Sequence, residues 1–112
     1  MKPSYKYKAR LDRVIDGDTY DVTVDLGFTI TTNQRLRLVG VDTPEVRGPE
    51  RPEGLKVKAY VKDLIEGKKL TIETFKVGKY GRYICEVYLD NDEKLSEHLL
   101  AQKMAEKIDF PL

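Results

Sequence analysis

From Tyr20 to Leu26 the order Tyr, Asp, Val, Thr, Val, Asp, Leu alternates apolar and polar residues without a fault. A period of two places Tyr20, Val22, Val24 and Leu26 on one face of a half-buried strand. Lys8 to Val14 supplies a partner, joined through Asp16-Gly17-Asp18, where Asp-Gly between two strand patterns signals a hairpin. Thr29 to Val41 gives a third strand beyond Gly27. Pro52 then opens a helical pattern in which Val57, Tyr60, Val61, Leu64 and Ile65 recur at helical spacing, and Gly67 stops it. Lys69 to Lys76 and Arg82 to Asp90 read as two further strands around the turn Val77-Gly78-Lys79-Tyr80-Gly81. Leu95 to Glu106 reads as a second helix with Leu95, Leu99, Leu100 and Met104 inward.

The order is three strands, a helix, two strands and a helix, which predicts an α+β, mainly β fold. Links of hairpin length do not make parallel crossovers, so the pattern suits a five-stranded Greek-key barrel of the OB-fold type. One helix falls between strands 3 and 4 and the other at the C-terminal end. The loop Thr43 to Gly54, rich in Pro, Gly and charge, lies inside this domain.

A chain of 112 residues is expected to form a single domain over residues 1–112, burying roughly 65% of its unfolded surface. With 40% hydrophobic residues and 20 cations against 19 anions, the chain is too apolar and too balanced for a disordered tail. The net charge of +1 also excludes a strongly basic wrapper of nucleic acid, so any grip on a polyanion depends on where the charges sit. Cys85 has no second cysteine to pair with, and one thiol is too few for a zinc site built on cysteines. The N-terminal MKPSYKYKAR lacks the apolar stretch of a signal peptide, and no run of about 18 apolar residues occurs. A soluble protein is expected, cytoplasmic where Met1 is the native start and secreted where a leader has been trimmed.

Three segments at strand ends concentrate the unusual polar residues: Val14 to Thr19 (VIDGDT), Arg37 to Glu45 (RLVGVDTPE) and Lys79 to Arg82 (KYGR). Taken singly, Asp16-Gly17-Asp18 and Asp42-Thr43-Pro44 read as tight or capped turns, and Arg37 and Arg82 as salt-bridge partners. Taken together they supply hard oxygen ligands suited to Ca²⁺ or Mg²⁺, two arginine forks and a spare carboxylate. Such a set answers the needs of phosphodiester cleavage. The charge that grows on the equatorial oxygens during in-line attack is stabilised by a divalent cation and fixed guanidinium groups, and the free carboxylate orients or deprotonates water. An EF-hand beginning at Asp16 is excluded, because its twelfth position is Gly27 instead of a bidentate Glu.

These three ordered motifs resemble the staphylococcal nuclease (thermonuclease) family over about residues 7–106. The resemblance implies an OB-fold barrel, one Ca²⁺ ion, and hydrolysis of DNA and RNA with little sequence preference, leaving 3′-phosphate ends. It implies that Asp18 and Asp42 give carboxylate oxygens and Thr43 its backbone carbonyl to the metal, with Asp16 in support. By the same resemblance Glu45 would be the general base or water-orienting residue, Arg37 and Arg82 would hold the phosphate, and Lys79 and Tyr80 would touch the nucleotide's other phosphate. The expected substrate is single-stranded or frayed, the expected state a monomer, with no membrane partner. The rival is a non-catalytic OB-fold module that binds nucleic acid or protein, and a nuclease for a narrow substrate is a third possibility. After Met104-Ala105 the family continues through base-stacking tyrosines and a third helix that this sequence does not carry, so Phe110 is left as the aromatic candidate, and the missing helix is expected to give a more open groove and lower stability. His98 is expected on a helix face, and Cys85 in the core.

Overall fold

The computed structural model describes residues 5–77 and 83–109. Among these, five strands close into a barrel in the order β1–β2–β3–β6–β5. They are β1 (Lys6–Asp16), β2 (Thr19–Asp25), β3 (Thr31–Leu38), β5 (Lys69–Val77) and β6 (Tyr83–Tyr88). Two helices, α1 (Arg51–Ile65) and α2 (Leu95–Ala101), follow β3 and β6, and a small second sheet pairs β4 (Val41–Asp42) with β7 (Glu106–Lys107). The expected α+β barrel with its two helices is therefore present.

The alternation that predicted the strands also fills the barrel. Tyr20, Val22 and Val24 of β2 are buried, together with Leu36 and Leu38 of β3, Leu70 and Ile72 of β5, and Cys85 and Val87 of β6. In β1 the pattern breaks: Ala9 and Leu11 are buried, Asp12 and Arg13 exposed, and Val14 buried. A register shift against β2 between Leu11 and Arg13 explains it, since a bulge returns the next apolar residue to the inner face. The polar main-chain groups freed near the bulge are taken up by the end of α1 and the residues after it. Gly67 N–H donates to the Leu11 carbonyl at 2.6 Å, Leu11 N–H to the Lys68 carbonyl at 2.9 Å, and Val14 N–H to Glu66 Oε2 at 3.0 Å.

α1 presents Val57, Val61 and Ile65 to the core, the stripe that the helical spacing predicted. The barrel closes through a parallel pairing of β3 with β6, Arg37 opposite Ile84; the long connection through α1 and β5 supplies the crossover that a parallel pair requires.

Three expectations are corrected. The third strand does not run unbroken from Thr29 to Val41: it ends at Leu38, and the chain turns at Gly40, which has φ +72°, before the short β4. Leu26 is 43% exposed, because β2 ends at Asp25 and the apolar face continues past the barrel's rim. The second helix stops at Ala101 instead of Glu106. Lys103 adopts φ +58°, with its N–H bonded to the Leu100 carbonyl and the Met104 N–H to the Leu99 carbonyl. That is a Schellman closure with lysine in the position glycine usually fills. The chain thereby reverses and lays β7 against β4.

Candidate active site

The two-residue turn between β1 and β2 carries the first group of polar residues. Asp18 N–H donates to Asp16 Oδ1 at 3.1 Å, the local bond through which Asp shapes a turn. Gly17 is not in the left-handed region, so its lack of a side chain serves close packing instead of backbone freedom. A Cβ there would stand 2.6 Å from Val57 Cγ1 and 2.7 Å from Thr43 Oγ1. Beneath the turn, fully buried Tyr20 donates its hydroxyl to the Gly17 carbonyl at 2.6 Å. The turn is thus wedged between the core, α1 and the segment carrying Thr43.

Asp18 is the hub. Its Oδ2 accepts the Thr43 N–H at 3.0 Å and faces Arg37 Nη1 at 3.2 Å, while Oδ1 accepts the Thr19 hydroxyl at 3.2 Å. Arg37, at the end of β3, donates Nη1 to the carbonyls of Leu38 at 3.1 Å and Val41 at 2.9 Å. Its Nη2 reaches Asp42 Oδ1 at 3.4 Å. Side-chain exposures of 13% for Arg37 and 9% for Asp18 mark a mostly desolvated pair, whereas Asp42 at 53% opens to solvent. The carbonyl bonds fix the plane of the guanidinium fork, so it is preorganised before any anion arrives.

Electrostatics around the hub favour an added positive charge. Burial, then a side-chain hydrogen bond with Asp18 and repulsion by its charge, push the Asp16 carboxyl up to about 7, against the lowering effect of the Asp18 main-chain N–H. Burial and repulsion by Asp18 also raise Asp42, against the pull of Arg37. Three carboxylates crowd into a space with one cation. Thr43 Oγ1 is buried and has no hydrogen-bond partner among the described residues, an omission that normally costs free energy. Among those residues no group of three or more His, Cys, Asp or Glu side chains is arranged to hold a metal. The oxygens at hand are the carboxylates of Asp18 and Asp42, with Asp16 beside them, and main-chain carbonyls. Hard donors of this kind, together with the mutual repulsion and the orphaned hydroxyl, fit Ca²⁺ better than a softer ion.

The structure therefore brings Asp16, Asp18, Arg37, Asp42 and Thr43 together from two segments, Val14 to Thr19 and Arg37 to Glu45. Glu45 stands exposed three residues past Asp42, its N–H donating to Glu50 Oε1 at 3.3 Å, and its carboxylate makes no ion pair among the described residues. Beside this segment, a cleft of about 400 Å³ is lined by Asp42, Thr43, Glu50, Lys56 and Met104, among others. Lys79, Tyr80, Arg82 and Phe110 lie outside the described residues. His98 is more than a surface residue of α2: its Nε2 is 2.7 Å from the Tyr60 hydroxyl and its Nδ1 3.2 Å from Glu93. The ring thus ties Tyr60 of α1 to Glu93 in the loop before α2. Sequence reasoning placed Tyr20 on a strand face and Gly17 in a turn but did not show the close packing of Gly17 on Val57 and Thr43 or of Gly54 on Glu45, which are contacts between distant segments.

Residues 35–110 match the family described as Staphylococcal nuclease homologue, and the chain belongs to that family. It is 37% identical over 98 residues to a thermonuclease of Staphylococcus hyicus, covering 80% of this chain and 55% of that protein. Identity to the SPbeta prophage-derived endonuclease YokF of Bacillus subtilis is 36% over 101 residues, or 85% of this chain and 32% of that one. An uncharacterized endonuclease of Escherichia coli is 31% identical over 91 residues, covering 81% and 54%. The chain thus spans about half the length of these relatives, or less.

Proposed function

We propose that this chain is a nuclease: a Ca²⁺-dependent phosphodiesterase that cleaves DNA and RNA with little sequence preference and leaves 3′-phosphate ends. The observation that carries the reading is the Asp18–Arg37–Asp42 cluster, a guanidinium held in plane by two carbonyls between carboxylates that repel one another. Family membership and relatives named as nucleases support it. Asp18 and Asp42 would hold the cation through carboxylate oxygens and Thr43 through its main-chain carbonyl, with Asp16 in support. When bound, the ion supplies positive charge to the scissile phosphate's nonbridging oxygens.

The chain's own residues do the rest. Arg37 keeps its carbonyl bonds and offers its remaining N–H groups to a phosphate oxygen, a contact that strengthens as the phosphorus becomes five-coordinate. Glu45, exposed and free of ion pairs among the described residues, takes a proton from water as the water oxygen bonds to phosphorus. The bond from phosphorus to the 5′ oxygen breaks, and that oxygen leaves and takes a proton from solvent. Arg82 would share the phosphate with Arg37, and Lys79 and Tyr80 would hold the neighbouring phosphate. The substrate is a single-stranded or frayed nucleic acid and the working state a monomer. Because the grip is on phosphate, binding weakens with salt.

Digestion of denatured DNA, with Ca²⁺ or with chelator, tests the reading on the wild type and Glu45→Ala. Cleavage by the wild type in Ca²⁺ is expected, with a loss of about a hundredfold or more on removing the base. An inert wild type at alkaline pH with Ca²⁺ overturns the enzyme reading in favour of a binding module. Activity indifferent to chelator removes the ligand roles of Asp18 and Asp42 while leaving hydrolysis standing.

A further inference from the structure

Gly54 is the fourth residue of α1 and is buried. It does not occupy the left-handed region, so nothing in its backbone conformation calls for glycine, and glycine within a helix is disfavoured against alanine. The explanation lies in what a side chain would meet. A Cβ on Gly54 would overlap the main-chain carbonyl of Glu45 and press on the amide nitrogen of Val46. The loop after β4 therefore lies directly on the helix backbone at this one position. The Glu45 amide is tied to Glu50 from the other side, while the Glu45 side chain projects into solvent. The contacts of the Glu45 main chain with Gly54 and with the Glu50 carboxylate therefore seat the backbone that carries its carboxylate.

We propose that Gly54 is a positioning residue for Glu45, admitting the loop to the helix surface and so fixing the carboxylate relative to Asp18, Arg37 and Asp42. The inference rests on the nuclease reading of Glu45. It extends that reading to a residue with no functional group of its own. Gly54→Ala pushes the loop off the helix by about 1 Å or more, and misplacement of that size costs on the order of a hundredfold in rate. The helix itself gains propensity from the same change.

The experiment is a double-mutant cycle of Gly54→Ala with Glu45→Gln, read as kcat and KM on denatured DNA in Ca²⁺, with circular dichroism and thermal unfolding of each variant. Gly54→Ala is expected to lower kcat tenfold or more while KM and the Ca²⁺ half-saturation stay within about twofold. In the Glu45→Gln background it is expected to cost nothing further. Equal losses in both backgrounds overturn the proposal, as does an unchanged kcat. A variant that loses cooperative unfolding shows that Gly54 holds the fold instead of the carboxylate, and overturns it too. An inert wild type removes the nuclease reading by itself. The seat is then read from amide resonances: Gly54→Ala must shift those of Glu45 and Val46 and spare Val22 and Ile72, and unshifted loop amides overturn it.

Discussion

At the scale of single residues, the site stores unfavourable interactions. Asp16 is the clearest case. Its ordinary value is 3.8 and the folded value about 7, so between those limits the folded chain binds the proton more tightly than the unfolded one. The stability this confers is fully present below about pH 4 and is lost as pH rises through 7. Cation-free wild type should therefore lose stability across that window, while Asp16→Asn should show a flatter profile and exceed wild type at pH 8. Allowing for solvent around a partly exposed carboxyl, the gain is about 1–2 kcal/mol. Urea unfolding at pH 4 to 8 in chelator measures it, and parallel profiles for the two proteins would remove Asp16 as the source. A functional site that destabilises its own fold is a familiar trade, and carboxylates gathered for the proposed cation would repel one another without it. The residue types were legible in the sequence: VIDGDT and DTPE announce oxygen donors and turns. What Gly17 does was not, because its partners Thr43 and Val57 are 26 and 40 positions away and only the folded chain brings them to it.

At the scale of elements, strand alternation and the Pro52-to-Gly67 frame identified β2 and α1 closely because each follows one period with a physical stop at its end. The short helix α2 is different. Seven residues cannot sustain a helix in isolation, and its N-cap, Lys94, makes no side-chain cap. The cap comes instead from another element. Glu86, buried in β6, accepts the Ser96 N–H at 3.2 Å and the Ser96 hydroxyl as well as the Val87 N–H. Its carboxylate also complements the positive end of the helix dipole. Burial raises its pKa, and the bonds from Ser96 and Val87 work against that rise. Glu86→Ala leaves the buried Ser96 donors unmet and should cost about 2–3 kcal/mol of stability. Chemical denaturation monitored by tyrosine fluorescence tests it; a loss below about 0.5 kcal/mol would mean that water replaces the carboxylate there. No sequence pattern signals this cap, which spans ten positions and two elements. The end of α2 was illegible for a related reason, a left-handed lysine where sequence rules look for glycine.

At the scale of the whole molecule, the barrel presents the site and the C-terminal segment secures its open side. β7 pairs Lys107 with Val41 and Glu106 with Asp42, and Ile108 N–H reaches the Gly40 carbonyl at 3.1 Å. The strand that carries Asp42 is thus held by residues that come after every element of the barrel. Deleting residues 106–112 frees β4 from its partner while leaving the pairings of β1, β2, β3, β5 and β6 in place. A loss of about 1 kcal/mol, or about 5 °C in Tm, is expected. The effect on cation binding should be larger in proportion, because support behind a ligand commonly governs affinity by about tenfold or more. Charge also changes, since Glu106 adds to the negative field at Asp42, and Glu106→Gln isolates that contribution. It should alter Ca²⁺ half-saturation by less than about twofold at physiological salt, where exposed charges are screened. Calorimetric titration of Ca²⁺ into the three proteins separates the causes. A tenfold weakening in the truncated chain alone locates the effect in the β4–β7 pairing. Equal weakening in Glu106→Gln assigns it to charge, and an unchanged half-saturation in the truncated chain refutes the idea that the C-terminal segment holds Asp42 in place.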